Sequence, residues 1–253
     1  MTMTADSYLL ILAFFLIALV YSSVGFGGGS SYLALMAIAG VQFEIIRPAA
    51  LLCNIVVVTG GTFIFYKDKL IDFKKSWPFI AASVPMAFLG GYWPVREDTF
   101  FLILAVALII AALVLWFQDS LSAEGGEEKK ISEHVGVNLG LGAGIGFLSG
   151  LVSIGGGIFL SPVLHILRWE AVKKISALAS LFILVNSMSG LAGQLSRSAT
   201  LDWEFILPLL MAVLMGGQIG SRLGARKFNP VHIKRITAVL ILVAGITILK
   251  DHW

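Results

Sequence analysis

Cysteine occurs once in this chain, at Cys53, so no disulfide can form within it. Charge is scarce too: 13% of the residues are charged, about half the share usual in soluble domains. Such a chain cannot cover a water-facing surface, which excludes a soluble globular fold. No carboxylate lies at the centre of a long apolar stretch, because Glu44, Asp72, Glu170 and Asp202 fall at stretch ends. An obvious proton-coupling acid is therefore missing. His134, His165, His232 and His252 are scattered without metal-ligand spacing, so no metal and no cofactor is expected. The N-terminus has no basic segment and no small-residue cleavage site, and the first apolar segment is expected to remain as a span. The pI of about 9.0 would suggest nucleic acid in a soluble protein. Here the basic residues fall between apolar stretches, where membrane topology accounts for them, and no nucleic-acid partner is expected.

What the chain has in abundance is apolar sequence, with 58% hydrophobic residues and a mean hydropathy of +0.92. Uncharged stretches run 7–43, 48–66, 76–95, 99–118, 135–167, 175–196, 205–221 and 236–249. A spanning helix takes roughly 17–25 residues. Most of the stretches suit one helix each, the last only if Lys234 and Arg235 are included and snorkel to the interface. Two stretches, 7–43 and 135–167, are too long for one crossing, and each contains three consecutive glycines. Each is expected to form two helices joined at the glycines, the second one short. The fold class is thus all-α and integral to the lipid bilayer, with about ten segments.

Ten crossings sort the basic residues 14 to 4 between the two sides, with Arg47, Arg96, Arg197 and Lys250 on the poorer side. Positive loops stay cytoplasmic, which puts both termini outside. Five crossings per half is an odd number, so the halves enter from opposite sides as inverted repeats. The expected division is 1–117 for the first repeat, 118–134 for a cytoplasmic linker and 135–253 for the second repeat.

The glycine runs, Gly27-Gly28-Gly29 and Gly155-Gly156-Gly157, stand 128 positions apart. The same shift carries Ala49 onto Ala177 and Thr59 onto Ser187; with two residues inserted it carries Asp72 onto Asp202, Pro78 onto Pro208 and Gly90 onto Gly220. Paired breaks of this kind mark the binding site in transporters built from repeats. Glycine runs can present successive N–H groups as an anion-binding nest, and a helix starting after the run adds its positive end. Ser30, Ser31, Ser153 and Ser161 stand beside the runs and offer hydroxyl donors. Asn54 and Asn186 are further candidates, although helix–helix bonding explains an intramembrane amide equally well. The plain alternative is that the glycines only permit tight hairpins. Two other stripes, Gly136/Gly140/Gly144 and Gly142/Gly146/Gly150, are expected to serve helix packing.

The runs carry no Gly-Lys-Ser/Thr ending and open no dinucleotide fold. A membrane protease built from Ser149 or Ser153 with His165 finds no support in a duplicated chain. A channel using the glycine loops as its filter is the main rival to a transporter.

The signature Val24-Gly25-Phe26-Gly27-Gly28-Gly29, its echo Leu151-Val152-Ser153-Ile154-Gly155-Gly156-Gly157, and the duplicated length resemble the TauE/SafE family of membrane permeases. The resemblance implies a multi-pass transporter of the cell inner membrane, often an exporter, for sulfite or an organosulfonate anion. The particular anion, the coupling ion and the oligomeric state stay open.

Overall fold

The structure is a computed structural model and describes residues 5–23, 25–123, 134–197, 199–224 and 230–251. Among the described residues there are ten helices and no strand. They are α1 (Ala5–Ser22), α2 (Gly29–Ile38), α3 (Phe43–Lys67), α4 (Phe73–Tyr92), α5 (Glu97–Ala123), α6 (Val135–Val152), α7 (Gly157–Ile166), α8 (Val172–Leu195), α9 (Trp203–Gly224) and α10 (Pro230–Asp251).

Each long glycine-bearing stretch divides as expected, with α2 and α7 as its short second pieces. Each of these has 10 residues, about 15 Å, or half the thickness of a hydrocarbon core. Five helices, α3, α5, α6, α8 and α9, are long and apolar enough to cross a membrane. Helix α4 has 20 residues but opens with Lys74 and Lys75, which lower its apolar content. Helix α5 continues to Ala123, past the linker boundary expected at 118, and residues 124–133 of that linker lie outside the described residues. Arg47, counted from sequence as a loop charge, stands inside α3, which starts at Phe43.

Local chemistry sets the ends. The Asp72 carboxylate accepts from the amides of Lys74 and Lys75 and caps α4. Asp202 receives the amide of Phe205 at the start of α9. Pro78 and Pro208 each stand five residues into their helix, α4 and α9.

The principal pairings come in sets. Helix α1 packs on α9 and α6 on α4; α3 packs on α9 and α8 on α4; α2 packs on α3 and α7 on α8; α2 packs on α10 and α7 on α5. Advancing the helix number by five turns each member of a set into the other, while α3–α8 and α5–α10 map onto themselves. The match reaches single residues: Gly90 lies against the Phe147 carbonyl, and Gly220 against that of Leu19. At such points a side chain would drive two helices apart.

Of the two expected packing stripes, one packs. Gly142, Gly146 and Gly150 press on the α4 backbone at Phe79, Ser83 and Ala87. A Cβ at Gly136, Gly140 or Gly144 would meet nothing within 4 Å. That second stripe faces away from α4, so the packing expectation fails there.

The centre is the α3–α8 pair, where Thr62 and Ser180 share a 2.9 Å hydroxyl hydrogen bond. Cys53 is buried and free. Leu9, Leu12, Leu16, Leu207, Met211 and Val243 are exposed on α1, α9 and α10, an apolar perimeter suited to lipid. Trp77, Trp93 and Trp203 are exposed near helix ends, where an aromatic belt belongs.

Candidate functional site

The two glycine loops are built alike except at Gly155, whose φ of 86° is left-handed while that of Gly27 is not. At the first, the Phe26 amide donates to the Tyr21 carbonyl over 3.0 Å; at the second, Ile154 donates to Ser149 over 3.2 Å. Gly28 (φ 85°) and Gly156 (φ 83°) are the N-caps of α2 and α7 in left-handed conformation. Gly25 (φ 84°) has as its counterpart Ser153 (φ 59°), a non-glycine residue forced into the left-handed region. These positive φ values end one helix and start the next within a few residues.

The loops meet at two side chains. Asn54 of α3 donates through Nδ2 to the Ile154 carbonyl over 2.8 Å. That bond turns Oδ1 toward the first loop, where the Asn54 amide fills the space beside Gly27 and Gly29. Ile183 of α8 lies against Gly27, Gly155 and Gly157. A Cβ at Gly155 would lie 2.7 Å from Ile183 Cγ2, 2.7 Å from Ser187 Oγ and 3.3 Å from Asn54 Nδ2. Both loops therefore converge on α3 and α8, and only glycine fits the approach.

Among the described residues the amides of Gly155, Gly156, Gly157 and Ile158 meet no acceptor. The first turn of α7 accordingly presents free donors. Buried hydroxyls stand beside it: Ser149 and Ser187 are fully buried, and neither Oγ has a partner. Ser149 Oγ lies 3.1 Å from the Cβ position of Gly156. The arrangement supplies backbone donors, a positive helix end and neutral hydroxyls.

The candidates from sequence divide accordingly. Gly27, Gly29, Gly155, Gly157 and Asn54 come together. Gly28 packs against Tyr32 and Ile17, and Gly156 against Phe182 and Ser149. Ser30 is buried in the first turn of α2, beside the Tyr21 hydroxyl. Ser31 is engaged by the Tyr21 hydroxyl over 2.7 Å. Ser153 receives Gln194 Nε2 over 2.8 Å. Ser161 is buried in α7. Asn186 donates to the Phe182 carbonyl one turn back in its own helix, a bond that does not reach either loop. Ile183 and Ser149 were not singled out from sequence as loop contacts. An isoleucine on a buried helix face reads as core, and only the fold shows what it faces.

A cavity of about 320 Å³ lies at the α2–α3 turn, lined by Gln42, Phe43, Glu44 and Glu97 among others. Its two carboxylates make it a poor place for an anion.

Apolar spans joined by paired broken helices define a multi-pass membrane protein of the transporter class. The sequence matches the family described as "Sulfite exporter TauE/SafE" over residues 10–248. The chain belongs to this family and is a membrane transporter. It is 32% identical to the "Probable membrane transporter protein y4hK" of Sinorhizobium fredii, across 98% of this chain and 100% of that protein. It is 25% identical to the "Probable membrane transporter protein YunE" of Bacillus subtilis, across 92% and 93%. A relative from Methanocaldococcus jannaschii, "Probable membrane transporter protein MJ0441", is 24% identical across 95% and 94%. No solved structure matches the chain.

Proposed function

We propose that this transporter exports a small sulfur-containing anion, sulfite or an organosulfonate, holding it where the two glycine loops converge. The observation that carries the reading is the set of acceptor-free amides from Gly155 to Ile158 at the buried start of α7. Such donors favour negative charge, and a low-dielectric surrounding strengthens that preference. Gly27, Gly28, Gly29, Gly155, Gly156 and Gly157 are the proposed backbone cradle. Ser30, Ser31, Ser153 and Ser161 are its proposed hydroxyls, with Asn54 at the crossing and Asn186 in a lesser place. The substrate class follows the family's description.

The proposed mechanism is alternating access by two inverted five-helix repeats. The helix pairings that interchange on advancing by five support it. Ile183, wedged between the loops, leaves no open filter, which favours transport over a channel. The proposed topology puts both termini outside and the 118–134 linker in the cytoplasm of an inner-membrane protein. No side chain at the crossing is charged, so affinity should be modest, on the order of micromolar to millimolar.

Calorimetry on the purified protein with methanesulfonate and with its uncharged amide tests the reading. Saturable binding of the anion alone is expected. Equal binding of both, or binding of neither, refutes it.

A further inference from the structure

One cation stands close to the second loop without a carboxylate partner. Arg47 is half-buried in the second turn of α3, and its Nη2 donates to the Leu151 carbonyl over 3.2 Å. Its guanidinium lies 5.2 Å from the Phe100 ring centroid and 5.6 Å from that of Phe43. The Nε is buried and has no partner, and no ion pair among the described residues includes Arg47. A cap on the last turn of α6 explains the bond to Leu151. It does not explain the idle Nε.

The surroundings of Arg47 form a pattern. Arg47 and Asn54 are seven residues apart on one face of α3, two turns or about 10 Å, and they hold the end of α6 at Leu151 and the second loop at Ile154. Gln194 and Ser187 are also seven apart, on α8, and they meet the same loop at Ser153 and Gly155. The loop is thus bracketed at two levels. The inner level is neutral and coincides with the proposed cradle. The outer level carries Arg47, the Ser153 hydroxyl that accepts from Gln194 Nε2 and, one turn beyond Gln194, Arg197. The fold does not require Arg47 or Gln194. Around the first loop the positions corresponding to them hold Ile175 and Tyr66, that of Arg197 holds Lys69, and Gly25 is covered by Phe65 and Ser176.

We infer that Arg47, Ser153, Gln194 and Arg197 form a separate anion-binding mouth, a second station for a small oxyanion beside the glycine crossing. This rests on the anion-transport reading and adds a specificity-determining residue to it. A guanidinium that pairs with no carboxylate and keeps a buried Nε idle has a donor left for an anion. A guanidinium can hold a sulfonate or sulfate through two parallel N–H bonds. The mouth selects for charge, and the neutral crossing passes the anion without a tight hold.

The test uses the full-length protein in proteoliposomes with methanesulfonate as probe. Arg47→Gln should raise KM about tenfold and change kcat much less, the signature of lost uniform binding. Arg47→Lys should fall between, because it keeps the charge and loses the fork. Arg197→Gln, at an exposed position, should raise KM severalfold with normal protein yield. A second readout does not need transport. With Ser196→Cys in a Cys53→Ser background, an anionic methanethiosulfonate should react faster than a cationic one of equal size. Sulfate should slow the anionic reagent, and Arg47→Gln should cut the anionic-to-cationic rate ratio about tenfold. Unchanged KM and an unchanged ratio in both arginine variants overturn the mouth. If the wild type carries no sulfur anion, the proposed substrate class fails, and the rate ratio alone decides whether the mouth exists.

Discussion

Replacing Gly156 by alanine places a single methyl group where two costs add. Gly156 caps α7 at φ 83°. An L-residue in the left-handed region costs about 1–2 kcal/mol. The added Cβ would also lie 2.8 Å from the Phe182 ring and 3.0 Å from Ser149 Cβ. Forced overpacking of a filled interior costs typically about 1–3 kcal/mol. The expected destabilisation is therefore about 2–5 kcal/mol, a large part of the usual stability of a folded chain. Gly140→Ala is the matched control. Gly140 is helical and has nothing within 4 Å of its Cβ position, so alanine there should stabilise by about 0.5–1 kcal/mol through helix propensity. Thermal unfolding in one detergent, alongside proteoliposome flux, compares the two. Gly156→Ala should lower Tm by several degrees and remove most transport, whereas Gly140→Ala should hold or raise Tm and keep transport. Equal Tm and equal flux in both variants would show that the loop does not need its left-handed glycine.

Four other outcomes are expected. Asn54→Leu keeps the volume and leaves the Ile154 carbonyl unpaired, at about 1–3 kcal/mol; flux should fall at least severalfold, and wild-type flux would refute a role at the crossing. Ile183→Ala removes the wedge between the loops and should widen the accepted anions toward larger sulfonates, read by competition against methanesulfonate. Lys75, and less strongly Lys174, hold the Glu170 carboxyl below the ordinary carboxylate range. The stability from this pairing is complete above the unfolded glutamate value of about 4.3 and is lost as pH falls through the lower folded value. Glu170→Gln should thus lower Tm slightly at pH 7, with the difference vanishing in acid. For topology, single cysteines at Lys74 and Gly125, in a Cys53→Ser background, should resist an impermeant thiol reagent in intact cells; labelling of either would overturn the inside assignment.

Much of the fold was legible because its strongest signals are local. Charge-free stretches mark the helices, and two glycine triplets in over-long stretches mark the breaks before α2 and α7. The acids at Asp72 and Asp202 were legible as matched positions, and both cap helices. The site was legible only in part. Asn54 could be nominated as a rare amide in an apolar span. Its bond across 100 residues to Ile154 is a property of the assembled bundle. Ile183 carries no chemical mark, since a residue that excludes others by shape is identical in sequence to one that fills the core. The six glycines of the two α6 stripes look alike for a similar reason. Periodicity shows that each stripe shares a face, and only the neighbour α4 decides which face is covered. Arg47 was misplaced because counting charges between apolar stretches treats every basic residue near a boundary as loop. Helix α3 starts four residues earlier, and the guanidinium turns inward onto the end of α6.

The two loops share their helix breaks but differ at Gly155, left-handed where Gly27 is not, and in what surrounds them, and the surroundings bear on direction. A strictly symmetric pair of repeats would offer an anion the same approach from either side. Here the second loop is bracketed by Arg47, Gln194 and Asn54, while the first is closed at Gly25 by Phe65 and the Ser176 backbone. Under the proposed topology Arg47 and Arg197 stand toward the outside. A cationic outer mouth lowers the free energy of an anion there relative to the neutral crossing. An exporter gains from this only if release stays fast, which demands weak outer binding; an importer gains from it by capture. The ratio of outward to inward KM for methanesulfonate therefore carries the direction. An outward-facing KM below the inward-facing one by about tenfold, abolished in Arg47→Gln, would turn the assignment from export toward uptake while leaving the anion site intact.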